Sequence, residues 1–353
     1  MKKWIALLLA ACMLFALIGC AAKTAPASAK PEEFMFTDSV GRTVVLPDNI
    51  EKVAVSGPLA QIVVFALCPD KLVGIAQKWD KTAEKYLATE YYHLPELGQL
   101  YGGKGELNLE TLLASGAQVV IDVGEPKGSI AEDLDALSEQ TGIPFVHITA
   151  TIGTMGDAYR KLGELLHMPD EAEALAAYCD GTYAKIAKLA ERVEKVDLLY
   201  ITGDKGLNVI ARGSYHAEII DLLSNNLAVV DNPSSKGTGN EVDMEQIMLW
   251  NPDVILFAPG SVYASVGNDP MWSDIAAIRN GTYYEVPFGP YNWMGFPPSV
   301  QRLLGMLWMT KLLYPEAADY DLYTEVAEYF KLFYHCDLSE SDYHKLTMHS
   351  IGE

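Results

Sequence analysis

The chain has 353 residues, of which 26 are lysine or arginine and 47 are aspartate or glutamate, so its formal net charge is -21. This length is typical of two domains rather than one small module. A hydrophobic fraction of 50% excludes a disordered chain. The acidic balance argues against a nucleic-acid-binding protein, which needs a basic face, but it leaves room for a local basic pocket.

The N-terminus has the pattern of an export signal. Two lysines precede the uncharged run Trp4–Ile18, which is short for a membrane-spanning helix. The run ends in Leu17–Cys20, and this ending resembles a bacterial lipobox, in which the cysteine becomes the lipid-modified first residue. We therefore expect a signal peptide over 1–19 and a flexible tether over 20–33, which anchors an extracytoplasmic protein to the cell membrane through Cys20.

Short apolar runs alternate with helical patterns along the rest of the chain. The strands predicted for a first sheet are Val53–Ser56, Leu72–Ala76, Val119–Val123 and Phe145–Ile148. Those predicted for a second sheet are Leu198–Thr202, Asn208–Ala211, Val254–Ala258 and Tyr283–Val286. The helices predicted between them include Leu59–Leu67, Leu109–Ala114, Ile130–Gln140, Ala217–Leu223 and Met244–Trp250. This alternation predicts an α/β fold with two Rossmann-like lobes, each with a mostly parallel sheet, over 34–152 and 196–335.

A stretch without predicted strands, 153–195, separates the two lobes. Its pattern predicts a helix over Gly153–His167 and a longer helix over Pro169–Glu194, with Pro169 at an early helical position. The longer helix would span roughly 39 Å. Such a helix is a rigid connection, so we expect the lobes to move only a few degrees relative to one another. Gly181 in its middle would permit a kink.

One segment of each lobe repeats the same spacing. Glu110 lies nine residues before Val119, where one predicted strand begins, and Glu245 lies nine residues before Val254, where another begins. The equal spacing indicates the same helix–strand unit in both lobes.

The sequence contains no P-loop, GxGxxG, HExxH or GxSxG motif, so we expect a binding protein without a cofactor rather than an enzyme. The segment 336–353 is expected to be a polar tail. His335, Cys336, His344 and His349 could chelate a soft metal there, but their irregular spacing favours the plain tail. Besides the lipidated Cys20, the mature chain keeps three cysteines, an odd number that leaves at least one thiol unpaired. They are Cys68, Cys179 and Cys336.

These features together resemble the substrate-binding proteins of ATP-driven importers for ferric siderophores, haem and cobalamin. The resemblance covers about Phe34 to Tyr334. It rests on the Asp-x-x-Gly-Arg element within Phe36–Val55, on Glu110 and Glu245 at equivalent places before apolar strands, and on Gly295–Gly305, which is similar to the start of the family's closing helix. It implies a class III periplasmic binding protein, in which one long rigid backbone helix joins two α/β lobes.

The resemblance also implies partners and sites. Glu110 and Glu245 would each dock one lobe on one subunit of an ABC permease, by pairing with arginine; the receptor itself is expected to be a monomer. The ligand would lie between the lobes, against loops that follow strand ends. The candidate ligand-binding residues on these loops are Trp79, Tyr101, Lys104, Arg212, Tyr215, Tyr263, Tyr291 and Trp293.

Several ligand classes stay open. Aromatic faces suit a bulky metal chelate, and a tyrosine phenolate such as that of Tyr101 would suit Fe(III) directly. A small metal oxyanion or simple metal complex would need a smaller site, with Arg212 and backbone N–H groups as donors. A membrane-anchored enzyme would need a nucleophile–base pair, which is not visible. A scaffold protein without a small ligand would need an exposed apolar patch.

Overall fold

The structure is a computed structural model that describes residues 33–101 and 106–351. The predicted signal peptide, the lipidation site Cys20 and the candidate ligand residue Lys104 lie outside these residues. Within the described ranges, none of the helices combines the length and the apolar composition that a membrane span requires.

The chain alternates between strands and helices along most of its length. The strands are β1 Glu33–Thr37, β2 Thr43–Pro47, β3 Val53–Val55, β4 Val119–Gly124, β5 Phe145–Thr149, β6 Asp197–Thr202, β7 Asn208–Val209, β8 Asn225–Asn226, β9 Asn240–Glu241, β10 Val254–Phe257 and β11 Tyr283–Glu285. The helices are α1 Pro58–Leu67, α2 Thr89–Tyr92, α3 Leu109–Ser115, α4 Ile130–Thr141, α5 Met155–Leu166, α6 Pro169–Ala190, α7 Glu218–Leu223, α8 Met244–Trp250, α9 Tyr263–Val266, α10 Ala276–Asn280, α11 Arg302–Leu313, α12 Leu322–Phe333 and α13 Glu340–Thr347.

Each lobe is built on its own sheet. In the N-terminal lobe β3, β4 and β5 pair in parallel in the order β3-β4-β5. In the C-terminal lobe the order is β11-β10-β6-β7-β9, with β8 also paired to β6. The pairs β10–β11, β10–β6 and β6–β8 are parallel, whereas β7 runs antiparallel to both β6 and β9. Buried apolar runs such as that of β4 are expected for parallel strands covered on both faces.

A hairpin of β1 and β2 precedes the first lobe, and Asp38 fixes its turn. The buried Asp38 carboxylate accepts hydrogen bonds from the N–H groups of Val40 at 3.1 Å and Arg42 at 2.9 Å, and pairs with the Arg42 guanidinium at 3.0 Å. It also accepts from the N–H of His147 on β5 at 3.3 Å. Gly41 takes a positive φ of 82° in this turn. The Asp-x-x-Gly-Arg element therefore attaches the hairpin to the edge of the first sheet.

Helix α6 connects the lobes through a shared apolar core. Its buried side chains, including Leu175 and Ile186, belong to one continuous cluster with Val55 and Val146 of the first sheet and Leu256 of the second. Two smaller apolar clusters, one in each lobe, cover the other faces of the two sheets. The helix is unbroken through its central glycine. At 1.5 Å per residue its 22 residues span roughly 33 Å.

Three predicted elements differ in the structure. The long helix ends at Ala190, four residues before the predicted end. The expected strand Leu72–Ala76 contributes only isolated parallel bridges, Val53 with Leu72 and Ile75 with Glu96. The segment predicted to be a polar tail forms α13, where Asp342 pairs with Lys85 of the first lobe. Acidic residues in the first turn of α13 and a serine N-cap explain a helix that an apolar periodicity does not reveal.

The three cysteines of the described chain are all free. Burial raises the pKa of the Cys68 thiol to about 12, and it also raises the pKa of Cys336 to about 12. Burial raises the pKa of Cys179, which lies on α6, in the same direction. These thiols therefore stay protonated and serve as apolar packing groups.

Replacing Ile186 with alanine should destabilise both lobes together. Ile186 is fully buried in the shared cluster, and such a truncation costs about 2–5 kcal/mol of unfolding free energy. In a urea series followed by hydrogen exchange and mass spectrometry, we expect peptides of β4 and β10 to lose protection at the same, lowered urea concentration. Loss of protection in one lobe well before the other would contradict the shared core.

Candidate functional site

The two lobes present matching helices at their surfaces. Helices α3 and α8 each have seven residues and begin after a side-chain cap: Asn108 accepts from the N–H of Thr111 at 2.9 Å, and Asp243 from that of Gln246 at 2.8 Å. Both end at a residue in the left-handed conformation and lead into a strand, β4 or β10. The spacing repeat of the sequence is thus one helix–strand unit used twice.

The glutamates of the repeat are exposed in the first turns of these helices, at Glu110 and Glu245. One turn further along, each helix exposes an apolar side chain: Leu113 is 51% exposed and Met248 is 39% exposed. Residues three apart lie on the same face of a helix. Each lobe therefore offers a carboxylate beside an apolar contact surface, and Leu249, 78% exposed, widens that surface on α8.

The lobes meet where loops of the first sheet contact the segment around Tyr215 and the start of α11. We call this region the interlobe junction. The Tyr215 hydroxyl donates to the carbonyl oxygen of Ala150, just after β5, at 2.7 Å. The hydroxyl of Ser299 donates to the carbonyl oxygen of Leu59 in the first turn of α1 at 3.1 Å. Gly124, with φ 137°, lets Leu59 approach closely, since a side chain there would lie 3.1 Å from its methyl group.

An ion pair between a buried arginine and a partly exposed glutamate lies at the junction. Nη1 of Arg302, the first residue of α11, lies 2.7 Å from Glu218 Oε2 and donates to the carbonyl oxygen of Tyr215 at 2.9 Å. The guanidinium also stacks over the Tyr215 ring, with its carbon 4.8 Å from the ring centre. Glu218 in turn accepts from the N–H of Ile152 in the other lobe at 3.4 Å. This pair therefore joins three chain segments.

Burial changes the ionisation of side chains at the junction. It raises the pKa of Tyr215 to about 12, against the opposing effect of the positive charge of Arg302. It lowers the pKa of His216, whose Nδ1 lies 3.3 Å from the carbonyl oxygen of Gly295. Both rings are therefore uncharged at neutral pH, and the formal charges here belong to Arg302 and Glu218.

A second set of hydrogen-bonded polar side chains lies in the sheet of the first lobe. Ser56, directly after β3, donates to Asp122 of β4, whose second carboxylate oxygen lies 2.6 Å from Nδ1 of His147 on β5. The other ring nitrogen of His147 lies 3.2 Å from the Thr149 hydroxyl. The parallel register brings these residues together in one row across the three strands. Among the described residues no group of three or more histidine, cysteine or acidic side chains could hold a metal ion.

Three aromatic candidates lie in the core and not on a cleft wall. Trp79 is buried, its indole N–H donates to the carbonyl oxygen of Tyr91 at 2.9 Å, and its ring packs on Phe65. The Tyr291 hydroxyl accepts from Gln61 at 3.1 Å. Trp293 is fully buried. Their rings support the packing of the lobes and offer no surface to a ligand in this conformation.

Arg212 lies at the opposite end of its sheet from the expected cleft. Its guanidinium donates to the side chain of Asn225 at 2.7 Å and to the backbone of Asn226. Asn225 pairs in register with Asp197, the first residue of β6. Ligands of parallel sheets bind at the carboxyl ends of strands. The antiparallel direction of β7 carries Arg212 to the amino end instead.

The remaining two tyrosines have partners within the chain. The hydroxyl of Tyr101 donates to Asp133 at 2.5 Å, and burial together with this bond raises its pKa far above the ordinary value, which disfavours an iron-binding phenolate. Tyr263 donates to the carbonyl oxygen of His349 at 3.2 Å and packs against Tyr283. Of the described ligand candidates, Tyr215 is the one that the structure places at the interlobe junction.

Sequence reasoning did not predict the contact between Arg302 and Glu218 at the junction. The two residues lie 84 positions apart, and a charged residue at a helix start usually faces solvent. No sequence signal identified this contact; in the structure, a side chain at Gly295 would lie 2.8 Å from Cδ of Arg302. Two surface depressions, of about 530 and 320 Å³, lie beside α13 and beside the hairpin, away from the junction.

Comparison with known families agrees with this architecture. Residues 63–289, well over half of the chain, match the family described as periplasmic binding protein. The chain belongs to the periplasmic binding protein family. The fold class expected from the sequence, two α/β lobes joined by a backbone helix, is thereby confirmed. This periplasmic binding protein is an extracytoplasmic solute receptor of an ABC transporter.

Individual relatives cover nearly the whole molecule. The molybdate-binding protein MolA of Haemophilus influenzae is 26% identical over 350 residues, covering 90% of this chain and 95% of MolA. An ABC transporter solute-binding protein from Sulfurospirillum deleyianum superposes with a TM-score of 0.81 at 27% identity, covering 89% of this chain and 99% of that one. The catecholate-siderophore-binding protein VctP from Vibrio cholerae, with a TM-score of 0.57 and 17% identity over 78% of this chain and 99% of its own, shares the fold.

Replacing Tyr215 with phenylalanine should reduce the sensitivity of the fold to alkaline pH. A raised folded pKa means that the neutral hydroxyl stabilises the fold below pH about 10 and that this contribution is lost as pH rises towards 12. Between pH 8 and 11 we expect the free energy of unfolding in urea to fall by about 1 kcal/mol less in the variant than in the wild type. Equal losses would mean that the Tyr215 hydroxyl does not couple to folding.

Proposed function

We propose that this receptor captures a small oxyanion, with molybdate as the leading candidate, and delivers it to an ABC importer. The observation that carries the proposal is the match to a molybdate-binding protein along 90% of this chain and 95% of that relative. The alignment covers most of both chains, which supports a ligand of the same class.

The geometry of the junction supports a small ligand. Direct hydrogen bonds, such as that of 2.7 Å from Tyr215 to Ala150, hold the lobes together there. A macrocycle or large chelate would have to break them, whereas a four-oxygen anion needs space for little more than one tetrahedral group. Charge supports the same ligand class, because the junction holds the buried cation Arg302 and the uncapped N-terminus of α1.

The metal chelate expected from the sequence has less support. Its argument depended on aromatic faces between the lobes, and Trp79, Tyr291 and Trp293 lie in the core. The siderophore binder among the relatives shares the fold at 17% identity, which carries no ligand assignment. A chelate therefore stays a prediction, to be compared directly with the oxyanions.

A ligand panel distinguishes these classes. The protein would be titrated in a calorimeter with molybdate, tungstate, sulfate, a ferric catecholate siderophore, haem and a corrinoid. We expect saturable binding of molybdate or tungstate, with a dissociation constant in the micromolar range or tighter, and no heat from the chelates. Binding of one chelate without any oxyanion would overturn the proposal.

Delivery is proposed to use the two exposed glutamates. Replacing Glu110 and Glu245 together with alanine should abolish ligand uptake by cells, because each carboxylate would pair with a cation on one permease subunit. Ligand affinity of the purified variant should stay unchanged, since both side chains are exposed and lie outside the junction. The measurement is radiolabelled molybdate uptake beside calorimetric titration.

The matched control is the pair Glu90→Ala and Glu171→Ala. These glutamates are also exposed and also lie in first helical turns, so their loss alters net charge and helix-end electrostatics equally. We expect normal uptake from this control. Uptake that survives in the Glu110 and Glu245 variant, or fails in the control, would refute the docking assignment.

We also propose that the mature protein is held at the cell membrane by lipid on Cys20. The lipobox-like sequence supports this anchor, together with the extracytoplasmic location of the family.

A further inference from the structure

Arg302 is a buried cation with unused hydrogen-bonding capacity. Its side chain is 0% exposed, and Nη1 pairs with the carboxylate of Glu218 and donates to the carbonyl oxygen of Tyr215. The other two guanidinium nitrogens, Nε and Nη2, are buried and find no hydrogen-bond partner within residues 33–101 and 106–351. Buried polar atoms of folded proteins are nearly always paired, so the natural acceptor is a group outside these described residues, such as a bound ligand.

The two unused nitrogens have a defined geometry. Nε and Nη2 lie on the same edge of the planar guanidinium, and their N–H bonds point in nearly the same direction. This edge binds two oxygens of one anion side by side, as in arginine pairs with carboxylate or phosphate. A tetrahedral oxyanion offers two such oxygens at a matching separation.

The position of Arg302 places this edge at the meeting of the lobes. Its ring partner Tyr215 reaches Ala150 of the first lobe, and Ser299, three residues before Arg302, reaches Leu59 in the first turn of α1. No side chain caps the N-terminus of α1, which begins after Gly57. The buried cation and the positive end of a ten-residue helix thus converge on one region.

We propose that Nε and Nη2 of Arg302 bind the oxyanion and that Glu218 limits the affinity by competing for the same guanidinium. This assignment rests on the proposed function and names the residue that would carry it. The carboxylate of Glu218 holds Arg302 in place through Nη1, and its negative charge also repels an incoming anion. Weakened binding would favour release of the anion to the permease.

Substitutions of Arg302 and Glu218 are therefore expected to change the affinity for the oxyanion in opposite directions. In calorimetric titrations of the full-length protein in detergent with molybdate, R302Q should weaken binding by about tenfold or more, since two charge-assisted hydrogen bonds are lost. E218Q should tighten binding by about threefold or more, because a repelling charge is removed while an amide can still accept from Nη1. R302K, which keeps the charge without the planar edge, should bind with intermediate affinity.

The matched control is R160Q. Arg160 pairs with Glu173 and Asp180 on the surface of α5 and α6, so its loss removes the same charge and comparable ion pairs outside the junction. Its affinity for molybdate should stay within about twofold of the wild type. Thermal unfolding of every variant without ligand separates lost stability from lost binding.

Each other outcome has a distinct meaning. If the wild type binds molybdate and R302Q binds it equally well, the role of Arg302 is refuted while the proposed function stands. If R302Q and E218Q both weaken binding in proportion to their lost thermal stability, the pair is structural and the inference is wrong. If the wild type binds none of molybdate, tungstate and sulfate, both proposals fail. Loss of folding in R302Q still leaves the sign of the E218Q effect as a decisive test.

Discussion

The shared apolar core around α6 is the constraint on which the rest of the molecule depends. Side chains of both sheets belong to one continuous apolar cluster, and α6 contributes to it along its length as one unbroken helix of 22 residues. Because protein interiors are closely packed, a wide rotation of one lobe would open cavities throughout this cluster. We therefore expect movement on ligand capture to involve mainly the loops at the sheet edges, with little change in the separation of α3 and α8.

A fixed separation suits the repeated helix–strand unit. Glu110 and Glu245 occupy equivalent first turns, each beside an exposed apolar side chain, on two lobes that the backbone helix holds at a constant distance. In the proposed docking, such a pair would match a partner with two similar halves, because both contacts would form without further rearrangement of the receptor. A receptor that is stiff before docking loses little conformational entropy when it docks.

Much of the architecture was predictable from the sequence because it depends on local pattern. Buried strands such as β4 and helices such as α8 follow from apolar periodicity and capping residues, and the predicted bounds of α8 match the structure. The ligand candidates were harder to predict, because an aromatic residue after a strand has the same sequence pattern whether its side chain faces a cleft or the core. Trp293 is an example, since it is fully buried. Arg212 was misplaced because the reversal of β7 depends on pairing between distant segments. The Arg302–Glu218 pair depends wholly on tertiary contact.

The buried thiols have a consequence for the life of this protein outside the cytoplasm. Disulfide exchange proceeds through the thiolate, and burial keeps Cys68, Cys179 and Cys336 protonated by raising the pKa of each. These three thiols, which are all free in the described part of the chain, are thus expected to react slowly in an oxidising compartment. The described fold forms without a disulfide, so we expect its maturation after export to need neither an oxidant nor a disulfide isomerase.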